Sequence, residues 1–395
     1  MKPCILPWIN FGTNTFGRPR VCGYSSVKTP VKLKDSSISV EWNSDYFKQI
    51  RKDFLEGKWP ENCSRCEYVE NTGGTSKRMD SNHMWYDNFK HLIATTEDDG
   101  GLSYQPPHID VRTGTVCNFK CIHCGPGASS RWQEDVSMLY KYGYDQEPSD
   151  NQWIAQDNKF WDDLDISQIK RYNFLGGESF YNKKHNEFIK KLNDSPYAND
   201  VEVMYVTNGS LLNEQKLNNL INFKKIKLRL SVDALGKAGE YFRFGLDWND
   251  WYKKCSFIND FVKNNENFDV AFQWTCSNIS IFYFIDTYDF IRDEYPNIRF
   301  LMENHVTHPY HMSAQNLPDV LKIKIKNEIE SYPFKKYTLS QIPFYINHMM
   351  EKNAWPEYGK IFMNYMDDLD KFRNISWKSS FSEMKLENYD TRNLD

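Results

Sequence analysis

Short apolar stretches alternate with amphipathic segments through the middle of the chain. The apolar stretches have the length of buried strands, and the segments between them repeat apolar residues with helical spacing. Strands are predicted at 109–112, 172–175, 201–206, 227–232, 269–275 and 298–302. Helices are predicted at 129–140, 182–192, 214–220, 251–262 and 282–294. This alternation indicates an α/β fold with a parallel sheet and right-handed crossovers, in which chemistry lies on the loops after the strands.

The two ends of the chain have a different pattern. Residues 1–100 are rich in loops. Apolar stretches at 5–9 and 20–22 flank a turn at 12–17 and predict a hairpin, and a helix is predicted at 43–55 with Tyr46, Phe47, Ile50 and Phe54 on one face. Residues 311–395 are charged and helical, with one helix beginning at Pro318 or Asp319 and another at 339–350. We therefore predict three domains, at 1–100, 101–310 and 311–395.

Composition limits the class of protein. The 395 residues are 40% hydrophobic and 16% aromatic, which is ample material for a core, and the net charge of −4 excludes a broadly basic nucleic-acid binder. The sequence has no apolar run of about 18 residues and begins without a signal-peptide core, so we expect a cytoplasmic protein that does not enter a membrane. Nine cysteines in such a chain indicate metal binding or catalysis rather than disulfides.

Three of the cysteines form a C-x3-C-x2-C run directly after the first predicted strand: Cys117, Cys121 and Cys124. Three thiolates on a short loop can ligate three irons of a [4Fe–4S] cubane, which leaves the fourth iron open to an external ligand. The alternative is a zinc knuckle with His123 as the fourth ligand, although structural zinc sites normally have four ligands at wider pair spacing.

Polar and glycine motifs follow the later strands. The second strand is followed by Gly176, Gly177 and Glu178, the third by Asn208, and the fourth by Ser231 and Asp233, with Arg243 further on. Glycines allow a close approach of the backbone to a ligand, and a guanidinium suits a carboxylate. Asp233 could instead cap a helix, and Arg243 could be an ordinary surface cation.

In this order, the three cysteines and the later motifs resemble the radical SAM superfamily. The resemblance implies a partial (β/α)6 barrel whose cluster reductively cleaves S-adenosylmethionine (SAM) to a 5′-deoxyadenosyl radical. It implies that Cys117, Cys121 and Cys124 are catalytic as cluster ligands. It assigns SAM contacts to His123, Gly176, Gly177, Glu178, Asn208, Ser231, Asp233 and Arg243. His123 stands where the family usually has an aromatic or aliphatic residue beside the adenine.

A second group of cysteines precedes the predicted barrel: Cys4, Cys22, Cys63 and Cys66. Gly17 permits the tight hairpin that would bring Cys4 and Cys22 together. Four thiolates suit either a fully ligated auxiliary cluster or a zinc site, and their spacing alone does not separate the two metals.

This segment resembles the auxiliary-cluster module of twitch/SPASM-type radical SAM proteins, here placed before the barrel. The similar residues are Cys4 to Trp8, Cys63 to Cys66, and Gly73-Gly74 followed by Arg78. With the barrel motifs, the resemblance covers most of residues 1–320. It implies an auxiliary [4Fe–4S] cluster that transfers electrons, and a flavodoxin- or ferredoxin-type electron donor.

The substrate is less constrained than the cofactors. Enzymes with such modules often modify peptides or proteins, so a peptide is the first expectation, with Tyr310 as a candidate hydrogen-atom donor. A dehydrogenase or epimerase of a small sugar or nucleoside is the alternative enzyme. The non-enzymatic alternative is a zinc-binding interaction protein in which both cysteine groups are structural.

Overall fold

The computed structural model describes residues 2–26, 31–112, 114–144, 159–334 and 336–390, which form two compact units. The first unit comprises Met1–Val116, Pro148–Tyr205 and Glu214–Lys227, and the second comprises Cys117–Glu147, Val206–Asn213 and Leu228–Asp395. The predicted division into three consecutive domains stays a prediction.

All six predicted strands are confirmed, with ends that shift by one to three residues. The strands are β1 Asn10–Thr13, β2 Pro19–Arg20, β3 His108–Arg112, β4 Lys120–Cys121, β5 Arg171–Leu175, β6 Glu202–Thr207, β7 Lys225–Val232, β8 Arg243–Phe244, β9 Phe268–Cys276 and β10 Arg299–His305. The predicted strands correspond to β3, β5, β6, β7, β9 and β10.

The helices lie between these strands and at both ends of the chain. They are α1 Leu6–Ile9, α2 Ile38–Trp42, α3 Asp45–Leu55, α4 Ser64–Asn71, α5 Lys77–Phe89, α6 Val136–Leu139, α7 Lys159–Asp163, α8 Lys183–Asn193, α9 Glu214–Asn218, α10 Gly236–Phe242, α11 Trp248–Val262, α12 Phe284–Glu294, α13 Asp319–Ser331, α14 Lys336–Met350, α15 Trp355–Arg373 and α16 Trp377–Ser380. Among the described residues, none of these helices has the length and apolar character needed to cross a membrane.

The sheet of the first unit has the strand order β2-β1-β3-β5-β6, with β1 and β2 antiparallel and the other pairs parallel. A hairpin is present as β1 and β2, but its first strand lies at Asn10–Thr13 and not at 5–9 as predicted. The apolar stretch before it forms helix α1, because Pro7 fits the first turn of a helix. The apolar face of this sheet is fully buried and includes Phe11, Ile109 and Phe174.

In the second unit, β7, β9 and β10 lie side by side, and β9 pairs with β10 in parallel. A separate antiparallel pair joins β4 to β8. The predicted helix at 129–140 is shorter than expected, because Ser130–Asp135 form a 3-10 helix before α6 begins. The mostly parallel strands alternating with helices confirm the α/β class and are consistent with a partial barrel. The N-terminal auxiliary module stays a prediction.

Candidate functional site

The loop that carries the three cysteines is held by strand pairing in the second unit. Cys121 lies opposite Arg243 in the β4–β8 pair, and the backbone N–H of Ile122 donates to the carbonyl of Phe242 at 2.9 Å. The backbone therefore fixes Arg243 beside the cysteine loop, although the two are far apart in the sequence.

The three thiols interact with one another. The Cys124 thiol donates to the sulfur of Cys121, which lowers the pKa of Cys121 and raises that of Cys124. Cys117 also raises the pKa of Cys124 through its negative charge, and its sulfur accepts from the N–H of Phe119 at 3.5 Å. These neighbouring thiols are the soft, anionic donor set that an iron–sulfur cluster requires, so the residues present fit a [4Fe–4S] group.

A buried ion pair adjoins the thiols. Arg243 Nη2 lies 2.6 Å from Asp233 Oδ2, and Arg243 Nη1 lies 3.8 Å from the sulfur of Cys121. Burial lowers the pKa of Arg243, but the charges of Asp233 and Cys121 outweigh this effect and leave the pKa raised. The guanidinium in turn helps to hold the Cys121 sulfur as a thiolate.

His123 lies on the same loop with its ring 5.0 Å from that of Phe242. Burial lowers the pKa of His123 to about 4, with Asp233 and Arg243 acting in opposite directions. The imidazole is therefore neutral at pH 7, and its Nδ1 is buried without a hydrogen-bond partner among the described residues. A neutral aromatic ring at this position can stack against another planar ring.

Asn208 and Ser231 lie in the same unit as the cysteine loop. Asn208 Nδ2 donates to Asn118 Oδ1 at 2.9 Å, and Asn118 Nδ2 donates to Ser210 Oγ at 2.9 Å. These bonds tie the loop after β6 to the cysteine loop. Ser231 is half-buried at the end of β7, two residues before Asp233.

Gly176, Gly177 and Glu178 belong to the first unit. Both glycines have left-handed backbone angles, and a Cβ on Gly177 would lie 2.4 Å from the carbonyl oxygen of Val116. The N–H of Glu178 donates to that same carbonyl at 2.8 Å, and the buried carboxylate accepts from the N–H of Phe180 at 3.3 Å. The glycine turn thus fixes Val116, the residue that immediately precedes Cys117.

Replacing Gly177 by alanine is expected to reduce the free energy of unfolding by about 2–4 kcal/mol, because a left-handed angle and a backbone clash both oppose the new Cβ. Chemical denaturation measures the loss. Gly57 is the matched control, since its φ is +73° and a Cβ there meets nothing within 4 Å. Gly57→Ala should cost only about 1 kcal/mol, and equal losses in the two variants would contradict the clash.

The four remaining candidate ligands, Cys4, Cys22, Cys63 and Cys66, come together in the first unit. Burial and then the charges of the other three raise the pKa of Cys4. Burial, followed by Cys22 and Cys66, raises the pKa of Cys63 to about 12. Among the described residues, no three His, Cys, Asp or Glu side chains are arranged to hold a single metal ion. A set of four adjacent thiols fits an auxiliary cluster as a donor set.

Tyr310 lies in a short 3-10 helix of the second unit. Its hydroxyl donates to Gln315 Oε1 at 2.8 Å, and its ring lies 4.7 Å from that of Tyr358. The hydroxyl hydrogen is therefore held by Gln315. The role of Tyr310 as a hydrogen-atom donor stays a prediction.

Helix α15 supplies supporting residues that sequence reasoning missed. The Tyr365 hydroxyl donates to the carbonyl of Ile122 at 2.7 Å, inside the cysteine loop. Arg373 lies 4.5 Å from the centre of the Trp132 ring and 3.6 Å from Asp135 Oδ2. The sequence signal was only an amphipathic helix, which does not indicate what its buried face touches.

The fold and the site together define an α/β protein with a three-cysteine loop after a parallel strand and a buried ion pair beside it. A profile of the family described as "Radical SAM superfamily" matches residues 111–265. Residues 111–265 therefore match a radical SAM domain, and the members of that superfamily are enzymes. A radical SAM domain implies a [4Fe–4S] cluster and SAM as cofactors.

Several solved structures of SuiB from Streptococcus suis are similar to the chain. SuiB bound to S-adenosylmethionine is 13% identical with a TM-score of 0.34, over 82% of this chain and 67% of SuiB. SuiB alone is 15% identical with a TM-score of 0.36, over 73% and 58%. SuiB bound to its precursor peptide SuiA is 15% identical with a TM-score of 0.34, over 72% and 58%. The chain thus spans 58–67% of the length of these SuiB chains. No curated protein matches the sequence.

Proposed function

We propose that the chain cleaves SAM reductively and uses the 5′-deoxyadenosyl radical to abstract a hydrogen atom from a substrate. The observation that carries this proposal is the hydrogen-bonded thiol pair of Cys121 and Cys124 with the Arg243 guanidinium 3.8 Å from Cys121. When bound by these residues and Cys117, a [4Fe–4S] cluster with one open iron supplies the electron for the cleavage.

Unsatisfied polar atoms beside the thiols support a polar ligand such as SAM. In the described part of the chain, His123 Nδ1, Arg243 Nε and Asp233 Oδ1 are buried without a hydrogen-bond partner. Each such atom costs about 1–3 kcal/mol when it stays unpaired. A ligand with amino, carboxylate and hydroxyl groups would relieve this cost. We assign the SAM carboxylate to Arg243 and the ribose to Ser231 and Asp233.

The other candidate residues are proposed to contact the adenine, the nucleoside and the amino group of SAM. The neutral ring of His123 is proposed to stack on the adenine, and Asn208 to hydrogen-bond the nucleoside. Gly176, Gly177 and Glu178 are proposed to receive the methionyl amino group, because the resemblance assigns them this role and the buried Glu178 carboxylate can accept a hydrogen bond from an amine. These residues bind and orient the cofactor, and the apolar groups around them exclude water.

We further propose an auxiliary [4Fe–4S] cluster on Cys4, Cys22, Cys63 and Cys66. The mutual effect of the four thiols on one another's pKa supports this assignment. Four protein ligands leave no open iron, which favours electron transfer over substrate binding. A flavodoxin- or ferredoxin-type protein is the proposed electron donor, and the chain is proposed to work in the cytoplasm.

The metal content tests both assignments. After anaerobic reconstitution, the wild-type chain should contain about seven to eight irons, and Cys63→Ala about four, because one cubane loses a ligand. Cys276→Ala is the control, since this cysteine is fully buried and burial is the cause of its raised pKa, so the variant should leave the iron content unchanged. Two zinc ions and no iron in the wild-type chain would contradict the proposal that the chain is a radical SAM enzyme, and would favour a zinc-binding interaction protein.

A peptide or protein is the proposed substrate. The support is the resemblance of the four-cysteine segment to auxiliary-cluster enzymes that act on peptides. The test is anaerobic incubation with SAM, a strong reductant and candidate peptides, followed by mass spectrometry of the peptide and measurement of 5′-deoxyadenosine. A mass change in a sugar or nucleoside and in none of the peptides would contradict the peptide assignment.

A further inference from the structure

The sheet of the first unit has a polar face opposite its apolar one. Polar residues alternate with apolar residues along β3 and β5, so that one face carries His108, Asp110, Arg112, Arg171 and Asn173. Strand pairing sets His108 beside Arg171 and Asp110 beside Asn173. Because paired residues of parallel strands point to the same side, these side chains form one continuous polar surface.

The hairpin of β1 and β2 extends this surface. Gly12 pairs with Asp110 on one side and with Arg20 on the other. Two guanidiniums then converge on Gly23, which follows β2. Arg20 Nη1 donates to the Gly23 carbonyl at 3.4 Å, and Arg112 Nη2 lies 3.8 Å from the position that a Cβ on Gly23 would take.

Helix α5 covers the polar face and encloses a cavity of about 90 Å³. The helix residues Lys77, Ser81 and Trp85 line this cavity. They are spaced four residues apart and therefore share one side of the helix. The opposite wall includes Asp110 and Arg171. A water molecule takes up ~30 Å³, so the cavity has room for about three waters or for one carboxylate or phosphate group.

Positive charge predominates around this cavity. Arg171 and Lys77 line it, and Arg20 and Arg112 reach Gly23, which is also part of its wall. Asp110 is the carboxylate in the lining, and its Oδ1 is buried without a hydrogen-bond partner among the described residues. Within the described ranges, Asp110 acts electrostatically on Arg20 and Arg171 without a close ion pair to either guanidinium.

The tryptophan in the wall holds one of these guanidiniums in place. The Arg171 guanidinium lies 5.1 Å from the centre of the Trp85 ring, and Arg171 Nε donates to Asn173 Oδ1 at 3.0 Å. These contacts hold the guanidinium in place without neutralising it. Asp110 acts as a counter-charge on both Arg20 and Arg171, and Glu202 acts on Arg171, but burial still lowers the pKa of both arginines. An anionic ligand would offset this remaining cost of burying the cations.

We propose that this cavity binds an anionic group of the substrate, a carboxylate or a phosphate, through Arg20, Arg112 and Arg171. Guanidiniums recognise both groups through paired N–H donors. That the bound anion belongs to the substrate rests on the proposed function, whereas anion binding by the cavity does not. Cys22 also lines the cavity, so the bound anionic end lies against one of the proposed auxiliary-cluster ligands.

Calorimetric titration of the reconstituted chain with sodium glutarate and with sodium phosphate tests the proposal. We expect one site per chain, with an affinity that falls at least about tenfold in Arg112→Gln and is partly retained in Arg112→Lys, which keeps the charge. Arg18→Gln is the matched control, because Arg18 belongs to the same hairpin and is exposed outside the cavity. Circular dichroism checks that each variant is folded.

Each outcome has a defined meaning. Tighter binding of glutarate assigns the site to an acidic peptide side chain, and tighter binding of phosphate assigns it to a phosphorylated small molecule. Absence of binding in the wild-type chain, or equal binding in folded Arg112→Gln, overturns the proposal. Because no turnover is needed, anion binding by a chain that fails to cleave SAM would overturn the proposed function and leave this site standing.

Discussion

Replacement of Cys121 by alanine is expected to lower the formation of 5′-deoxyadenosine by more than about 100-fold and to remove about four irons per chain. Cys121 is buried, accepts the hydrogen bond of Cys124 and lies beside Arg243, so its loss removes a thiolate from the centre of the donor set. The cluster proposed on the other four cysteines should persist. Anaerobic assay with SAM and a strong reductant, together with iron analysis, measures both effects.

Cys255→Ala is the matched control for this prediction. Cys255 is 1% exposed on α11, and burial alone raises its pKa, so it has the environment of an ordinary core thiol. The variant should keep its full iron content and its rate of SAM cleavage. Cleavage at the wild-type rate in Cys121→Ala would refute the assignment of the three-cysteine loop.

The fold could be predicted where hydrophobic pattern determines it. The six strands of the predicted barrel have apolar runs that persist whatever the tertiary context, and all six are present. The pattern was ambiguous for the apolar stretch before Asn10, because a four-residue run fits a strand or one helical turn equally well. Here Pro7 favoured the helix. The parallel pairing of β1 with β3 was not predicted, since pairing between distant segments has no local signal.

The candidate site also contains residues that the sequence indicated and contacts that only the tertiary structure reveals. Spacing along the chain pointed to the cysteines and the glycine turn, and the family resemblance added Asp233 and Arg243 as separate candidates. The ion pair between these two residues was not predicted. The support from α15 could not be predicted, because the bond from Tyr365 to Ile122 joins segments that share no local pattern. The polar cavity also required strand register. His108 and Arg171 become neighbours only once β3 and β5 are paired.

The other large effect is expected at the buried ion pair. Asp233→Asn should reduce the free energy of unfolding by about 3–5 kcal/mol, because it removes the nearest counter-charge of the buried Arg243 guanidinium. The same change should weaken SAM binding, since the arginine loses the partner that orients it. Denaturation followed by tryptophan fluorescence and equilibrium dialysis with SAM measure the two effects.

Two further variants separate the ion pair from a general sensitivity to substitution. Asp250→Asn breaks the half-exposed pair with Lys254 and should cost only about 0.3–0.5 kcal/mol. The double variant Asp233→Asn with Arg243→Met removes both charges, so it should be more stable than Asp233→Asn alone while still failing to bind SAM. If the double variant is the less stable of the two, Arg243 stabilises the fold through its packing, and its charge is compensated by something other than Asp233.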